Sequence, residues 1–504
     1  MRAFVAAVIL VLTAACTGSS EVTFRPTFRQ TPCPEDVTSV VLTPVTCGFL
    51  TVLEDRSEPE GGRIRLFVTR IEPPGGNPAP DPVFHSGIDL GDTPDYAGIA
   101  PLAQRVNRQV VLLDHRGTGH SVPSLACPEV ERLGERLVGA RLSDLGLRED
   151  VRSATEACYD RLTGEGIDLS AYNLAESAAD VEDLRRVLGT PRWNLGSLGS
   201  TSRIALEVVR RFPEHIRAVF LDTPQFPQVD ELTLAITGTQ YVLRQVSADC
   251  AADPDCSRRF PDLSNALQEA VVRLDEEPVS VTVADSPAAE TAGHPIGVLV
   301  DGGAFLRAVR AMVSNIDLHL APRVPAAIYD ALEGKVDLVA RLLSDEPLCL
   351  GYQPVCGDHP FFEGAFFSTL CHDQVPFVEA SQLAGMAGGD PGFQEAYVAS
   401  PHLDVCEAWD VGKAASVAHR PVSSSIPMLI YVGEYDAYGP LPVAEQAVAS
   451  LSGSFLVDVP YHGHNVLGAL ECSLNIRNAW IEDPTSPPDS ACIEEIPPPS
   501  FEAA

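Results

Sequence analysis

Positive charge is scarce in this chain. Lys335 and Lys413 are the only lysines among 504 residues, and 35 basic residues face 69 acidic ones, a formal net charge of −34. A surface this acidic repels phosphate backbones and anionic lipid headgroups, so nucleic acid is excluded as a partner. No C-x-x-C pair or clustered Cys/His spacing of a zinc site occurs, and no dinucleotide fingerprint, so neither a metal nor a cofactor is expected. "DHRGTGHS", Asp114 to Ser121, has the glycines of a phosphate loop but lacks the lysine of a P-loop. The apolar run inside "MRAFVAAVILVLTAA" is too short to span a membrane.

That short run, behind a single arginine, has the length of a signal-peptide h-region, so the protein is expected to be exported. It ends "LTAAC" and continues "TGSSE". Small residues before Cys16 and a polar stretch after it resemble a bacterial lipoprotein signal, with Cys16 as the lipidated first residue. Thr13 stands where that signal usually has leucine, so simple cleavage and secretion stay open. The membrane is then met only through a lipid anchor. Beyond Cys16, twelve cysteines remain, an even number that suits disulfides in an oxidising compartment. They fall into sequential couples: Cys33 with Cys47, Cys127 with Cys158, Cys250 with Cys256, Cys349 with Cys356, Cys371 with Cys406, and Cys472 with Cys492.

With 45% hydrophobic and 21% charged residues the composition is globular, and the length suits one core carrying a large insertion. β-rich runs at Ile64 to Ile71 and Pro82 to His85 precede "VVLLD", a continuous apolar strand of the kind buried in parallel sheets. "AADVEDLRRVLG" is an amphipathic helix with Val181, Leu184 and Leu188 on one side. "RWNLGSLGSTSRIALEVVRRFP" is strand, tight turn and helix, and "IRAVFLDTP" is another buried strand. Alternation of this kind predicts α/β architecture, a doubly wound, mostly parallel sheet. We expect a leader over 1–16, a polar tether over 17–32, core over 33–226, a mainly helical cap over 227–420, core again over 421–495, and a tail without a packing signal over 496–504.

The strand, turn and helix around residue 199 is the local setting of a nucleophile elbow, G-x-S-x-G. "GEYD" after one later strand and "GH" after the next supply Asp436 and His464, in the order nucleophile, acid, base. At this point the chain resembles exported α/β-hydrolases related to tripeptidyl and prolyl aminopeptidases. "VVLLDHRGTGHS", "DVEDLRRVLGTPRWN", "RRFPEHIRAVFLDTP", "CEAWDVG", "GEYDAYGPLPVAEQ" and "GHNVLG" carry the likeness over roughly residues 33 to 495. It implies an α/β-hydrolase fold with a helical cap, a peptide or small ester as ligand, and a catalytic pair in Asp436 and His464. It names no protein partner. Carboxylates that meet a peptide's amino terminus would be Asp373 and Glu434, although a solvated surface carboxylate is the simpler reading of each.

Two turns depart from the pattern. Placed without gaps, G-x-S-x-G falls on Ser197, Leu198, Gly199, Ser200 and Thr201, which puts glycine in the nucleophile position. Ser197 and Ser200 are the alternative nucleophiles, each with a leucine two positions before it where a tight turn wants glycine. The oxyanion loop, G-G-P-G in the family, reads "HSGID" here, leaving Ser86, Gly87 and Ser200 as candidate donors and setting Asp89 close to the developing charge. The sequence thus leaves open a protein that binds without catalysis and a serine hydrolase working through Ser197 or Ser200.

Overall fold

The computed structural model describes residues 24–87, 90–314, 320–344, 361–398 and 402–502. Cys16, Asp89, Cys349 and Cys356 lie outside them. Nine strands form one sheet: β1 (Thr27–Thr31), β2 (Val45–Leu53), β3 (Arg63–Ile71), β4 (Val83–His85), β5 (Val110–Leu113), β6 (Trp193–Leu198), β7 (Ile216–Asp222), β10 (Met428–Gly433) and β11 (Ser454–Val459). Their order across the sheet is β1-β2-β3-β5-β4-β6-β7-β10-β11. The first three strands run antiparallel, and every pairing from β5 to β11 is parallel. Helices cover both faces, so the doubly wound, mostly parallel α/β sheet that the resemblance to α/β-hydrolases implied is present.

The parallel strands are the apolar runs of the sequence. β5, β6 and β10 are buried at every position, as strands covered on both faces must be. One face carries the Leu174–Leu188 and Ser202–Arg211 helices. The other carries the Pro101–Arg105 and Glu471–Trp480 helices. The Leu174–Leu188 helix begins at Asn173, whose side chain accepts the Glu176 N–H, and ends at Gly189 in the left-handed region. Gly196, inside β6, is required by close approach, because a Cβ there would lie 2.3 Å from the Phe220 ring.

Arg116, in the turn after β5, is buried against Asp180 of the Leu174–Leu188 helix, with Nε and Nη2 donating at 2.8 and 2.9 Å. Arg56 donates to the same carboxylate at 2.6 Å. The D-x-R-G turn therefore ties the sheet to a helix and holds no phosphate loop.

Between β7 and β10 the chain builds a second core, in which the Glu231–Ala252, Leu263–Glu276, Gly302–Ser314 and Val324–Leu332 helices bury Leu274, Phe305 and Met312. This region also holds an antiparallel hairpin, β8 (Val279–Val283) with β9 (Ile296–Val300), which the expectation of helices omitted. The polar tether expected to reach residue 32 is corrected in its second half. Thr27–Thr31 pairs antiparallel with β2, because the open sheet edge offers backbone partners that local polarity does not reveal. The C-terminal tail is corrected too. Phe501 is buried in the second core and its carbonyl accepts from Arg259, while Glu502 N–H donates to Pro322.

Disulfides join Cys33 to Cys47, Cys127 to Cys158, Cys250 to Cys256, Cys371 to Cys406 and Cys472 to Cys492. The last closes a 20-residue separation between the Glu471–Trp480 helix and the Ala491–Glu495 turn. Replacing both Cys472 and Cys492 by serine is expected to cost about 2–4 kcal/mol by freeing the unfolded chain. Urea unfolding of the two proteins side by side measures it, and an unchanged midpoint would sink the expectation.

Candidate functional site

The site residues gather at the C-terminal ends of adjacent strands, where open α/β sheets place their ligand crevice. Gly199 follows β6, Asp222 ends β7, Asp436 follows β10 and His464 follows β11. The loop after β7 links these turns: Gln225 N–H donates to the Gly199 carbonyl at 3.2 Å, and Asn465 N–H reaches Thr223 Oγ1 at 3.4 Å.

Asp436 is fully buried and His464 is 8% exposed. Their contact, His464 Nδ1 to Asp436 Oδ1, is 3.1 Å. The same oxygen accepts from Tyr438 N–H at 2.8 Å, while Asp436 Oδ2 has no hydrogen-bond partner among the described residues. The imidazole meets the Tyr438 ring edge-on, with centroids 5.1 Å apart. Its backbone is pinned by His464 N–H donating to Ser314 O at 2.6 Å. Ser314 Oγ in turn donates to Tyr435 O and accepts from Ala437 N–H, so one serine braces both the acid's loop and the histidine's.

Gly199 has φ +57°, the left-handed conformation that a nucleophile elbow forces on its central residue. Ser197 and Ser200 lie outside that region. Ser197 Oγ is hydrogen-bonded to Ser202 Oγ at 2.7 Å, and Ser200 Oγ accepts from Leu90 N–H at 2.9 Å. Both serines are buried. Thr201 Oγ1 donates to Gly87 O at 3.0 Å and Leu198 O at 2.9 Å, which fastens the turn to the loop after β4.

Ser86 N–H donates to Gly196 O at 2.9 Å, and Gly87 N–H donates to His85 Nδ1 at 3.2 Å. Two N–H groups read from the sequence as oxyanion donors are thus engaged within the protein. The expectation of solvated surface carboxylates is corrected for Asp373, which is 3% exposed and accepts from Leu174 N–H and His372. Glu434 is half-buried and accepts from Tyr461 N–H and Gln245 instead. The two serve different neighbourhoods.

Asp222 is the residue that sequence reasoning missed. Its two oxygens accept from Val466 and Leu467 N–H at 3.1 and 2.8 Å, which fixes the turn behind His464. Burial pushes its carboxyl up to about 6, against the pull of those bonds and of His464. A charged residue closing the apolar run "IRAVFLD" was its only signal in the sequence.

Residues 392–492 match a family described as TAP-like protein. The chain is 24% identical over 206 residues to the tripeptidyl aminopeptidase of Streptomyces lividans, covering 38% of this chain and 37% of that protein. It is 26% identical over 223 residues to carboxylesterase B of Mycobacterium tuberculosis, covering 42% of each. The chain thus spans about two fifths of the length of the curated relatives it matches. Among solved structures, the proline iminopeptidase of Mycobacterium smegmatis aligns over 84% of this chain and 96% of its own, with a TM-score of 0.40 and 13% identity.

Proposed function

Because the chain is a TAP-like α/β-hydrolase with peptidase and esterase relatives, we propose that it acts in the bacterial envelope as a binder of peptides or small esters. It keeps the family's acid and base and has lost the nucleophile. The observation that carries this reading is Gly199 at φ +57°, beside two serines whose hydroxyls are buried and hydrogen-bonded elsewhere. An elbow with glycine in the nucleophile position has no side chain with which to form an acyl-enzyme. The engaged Ser86 and Gly87 N–H groups support it from the side of the oxyanion hole.

In this reading His464, oriented by the buried Asp436, is the polar group of the cleft, and Glu434 receives the ligand's amino group. Asp373 is the weaker candidate for that role because it is only 3% exposed, whereas Glu434 is half-buried. Export through the leader, with Cys16 acylated or the leader simply cleaved, belongs to the same proposal, and the disulfides accord with it.

The test is fluorophosphonate treatment of the purified mature protein with mapping of any modified serine, alongside anisotropy titration of a fluorescein-labelled tripeptide. We expect no serine adduct and saturable peptide binding. An adduct on Ser197 or Ser200 that disappears in His464→Ala would replace this reading with an active serine hydrolase. Absence of saturable binding would overturn the ligand assignment.

A further inference from the structure

A cavity of about 200 Å³ opens between the Pro101–Arg105 and Glu471–Trp480 helices, and reaches Leu198 just before Gly199 and Asn465 just after His464. Arg477 lines it and is only 5% exposed. Its Nε and Nη2 donate to the side chain of its chain neighbour Asn478, at 3.2 and 2.8 Å, and its guanidinium carbon lies 5.5 Å from the centroid of the Phe220 ring. Among the described residues it forms no ion pair. A buried guanidinium without a carboxylate costs several kcal/mol. Burial pushes it down to about 10, which still leaves it charged at neutral pH.

The rest of the wall has matching chemistry. Arg105 reaches the cavity and, among the described residues, is otherwise paired with Glu471 at 3.5 Å, both side chains being exposed. His85 Nδ1 accepts from Gly87 N–H, which assigns the ring proton to Nε2 and makes that atom a donor. Burial, with Arg477 beside it, pushes this imidazole down to about 3, so it stays neutral. Asp222 acts on Arg477 only through space, its two oxygens being hydrogen-bonded to Val466 and Leu467 N–H. Ile99, Leu102 and Leu474 supply an apolar side.

We propose that this cavity binds a small organic monocarboxylate, its carboxylate on Arg477 with Arg105 and His85 as further donors, its short chain against Ile99, Leu102 and Leu474. The single negative charge follows from Asp95 and Asp222 in the same wall, which oppose a dianion. The apolar side favours a carbon chain over a bare inorganic ion. The site uses neither the Gly199 position nor the His464 ring, so it stands or falls independently of the cleft reading.

Calorimetric titration of the mature protein at fixed ionic strength tests it, with butyrate as probe, butyramide as its uncharged counterpart and inorganic phosphate as the dianion. Saturable butyrate binding is expected, with butyramide and phosphate at least about tenfold weaker. Arg477→Gln should weaken butyrate by about tenfold or more, the usual loss of a charge-assisted hydrogen bond. Should Arg477→Gln not fold, Arg105→Gln on the exposed side and Leu102→Trp, which fills the cavity, decide the matter by weakening butyrate. Equal binding of butyramide, tighter binding of phosphate, no butyrate binding, or undiminished binding by folded variants would each overturn the proposal.

Discussion

Gly199→Ser should make the protein react with fluorophosphonate where the parent does not. The substitution restores a hydroxyl at the one elbow position whose backbone has φ +57°. The His464–Asp436 contact of 3.1 Å is already in place to take its proton and to orient the ring. Serine in the left-handed region costs of order 1 kcal/mol or more relative to glycine, which a fold of this size absorbs. Probe labelling should therefore rise from background to stoichiometric, and His464→Ala in the same background should abolish it. Turnover of a small activated ester should stay poor. Ser86 N–H is committed to Gly196 O and Gly87 N–H to His85, and each missing oxyanion donor is worth about 3–4 kcal/mol. If Gly199→Ser folds and stays unreactive, glycine does not occupy the nucleophile position, and the elbow must be read through another residue.

The second large effect concerns stability. Asp180→Asn should destabilise the protein by about 3–5 kcal/mol, because it leaves the buried Arg116 and the half-buried Arg56 without the carboxylate that joins them. Glu176 also approaches both arginines, which sets the expectation towards the lower end of that range. Burial alone would raise the Asp180 carboxyl, but Arg116 and Arg56 hold it below the ordinary carboxylate range. A carboxylate depressed in the folded state contributes stability that is complete above its unfolded value of about 3.9 and is lost as pH falls through the folded value. Urea unfolding at pH 7 should thus show a lower midpoint for Asp180→Asn, and the gap between variant and parent should narrow as the pH falls below about 4. A gap that is absent at pH 7, or constant down to pH 2, would remove Asp180 from the centre of this cluster.

Much of the parallel sheet could be read from the chain because its strands are buried on both faces and so are written as unbroken apolar runs. "VVLL", "AVFLD" and "MLIYVG" became β5, β7 and β10. The Leu174–Leu188 helix was legible from its period only over Ala178 to Gly189, and its first turn and Asn173 cap came from the structure. Edge strand β1 was not legible. Its residues are mostly exposed, and what holds them is the backbone of β2, which carries no sequence signature. The β8–β9 hairpin escaped notice because, among the described residues, its two strands pair with each other apart from the main sheet and sit among helices.

The sequence alone determined the architecture, the placing of Asp436 and His464 behind consecutive strands, and the glycine at the elbow. These depend on residue type and order along one chain, which periodicity and turn chemistry record. Tertiary structure decided the rest. It gave Gly199 its positive φ, turned the Ser197 and Ser200 hydroxyls to Ser202 and Leu90, joined Asp222 to the turn behind His464, and buried Arg477 beside a cavity with no ion pair among the described residues. Apart from the local Ser197–Ser202 bond, each of those facts is a contact between segments far apart in sequence, or a backbone angle or burial imposed by them. Such contacts are fixed by the packing of whole elements and leave no trace in local composition.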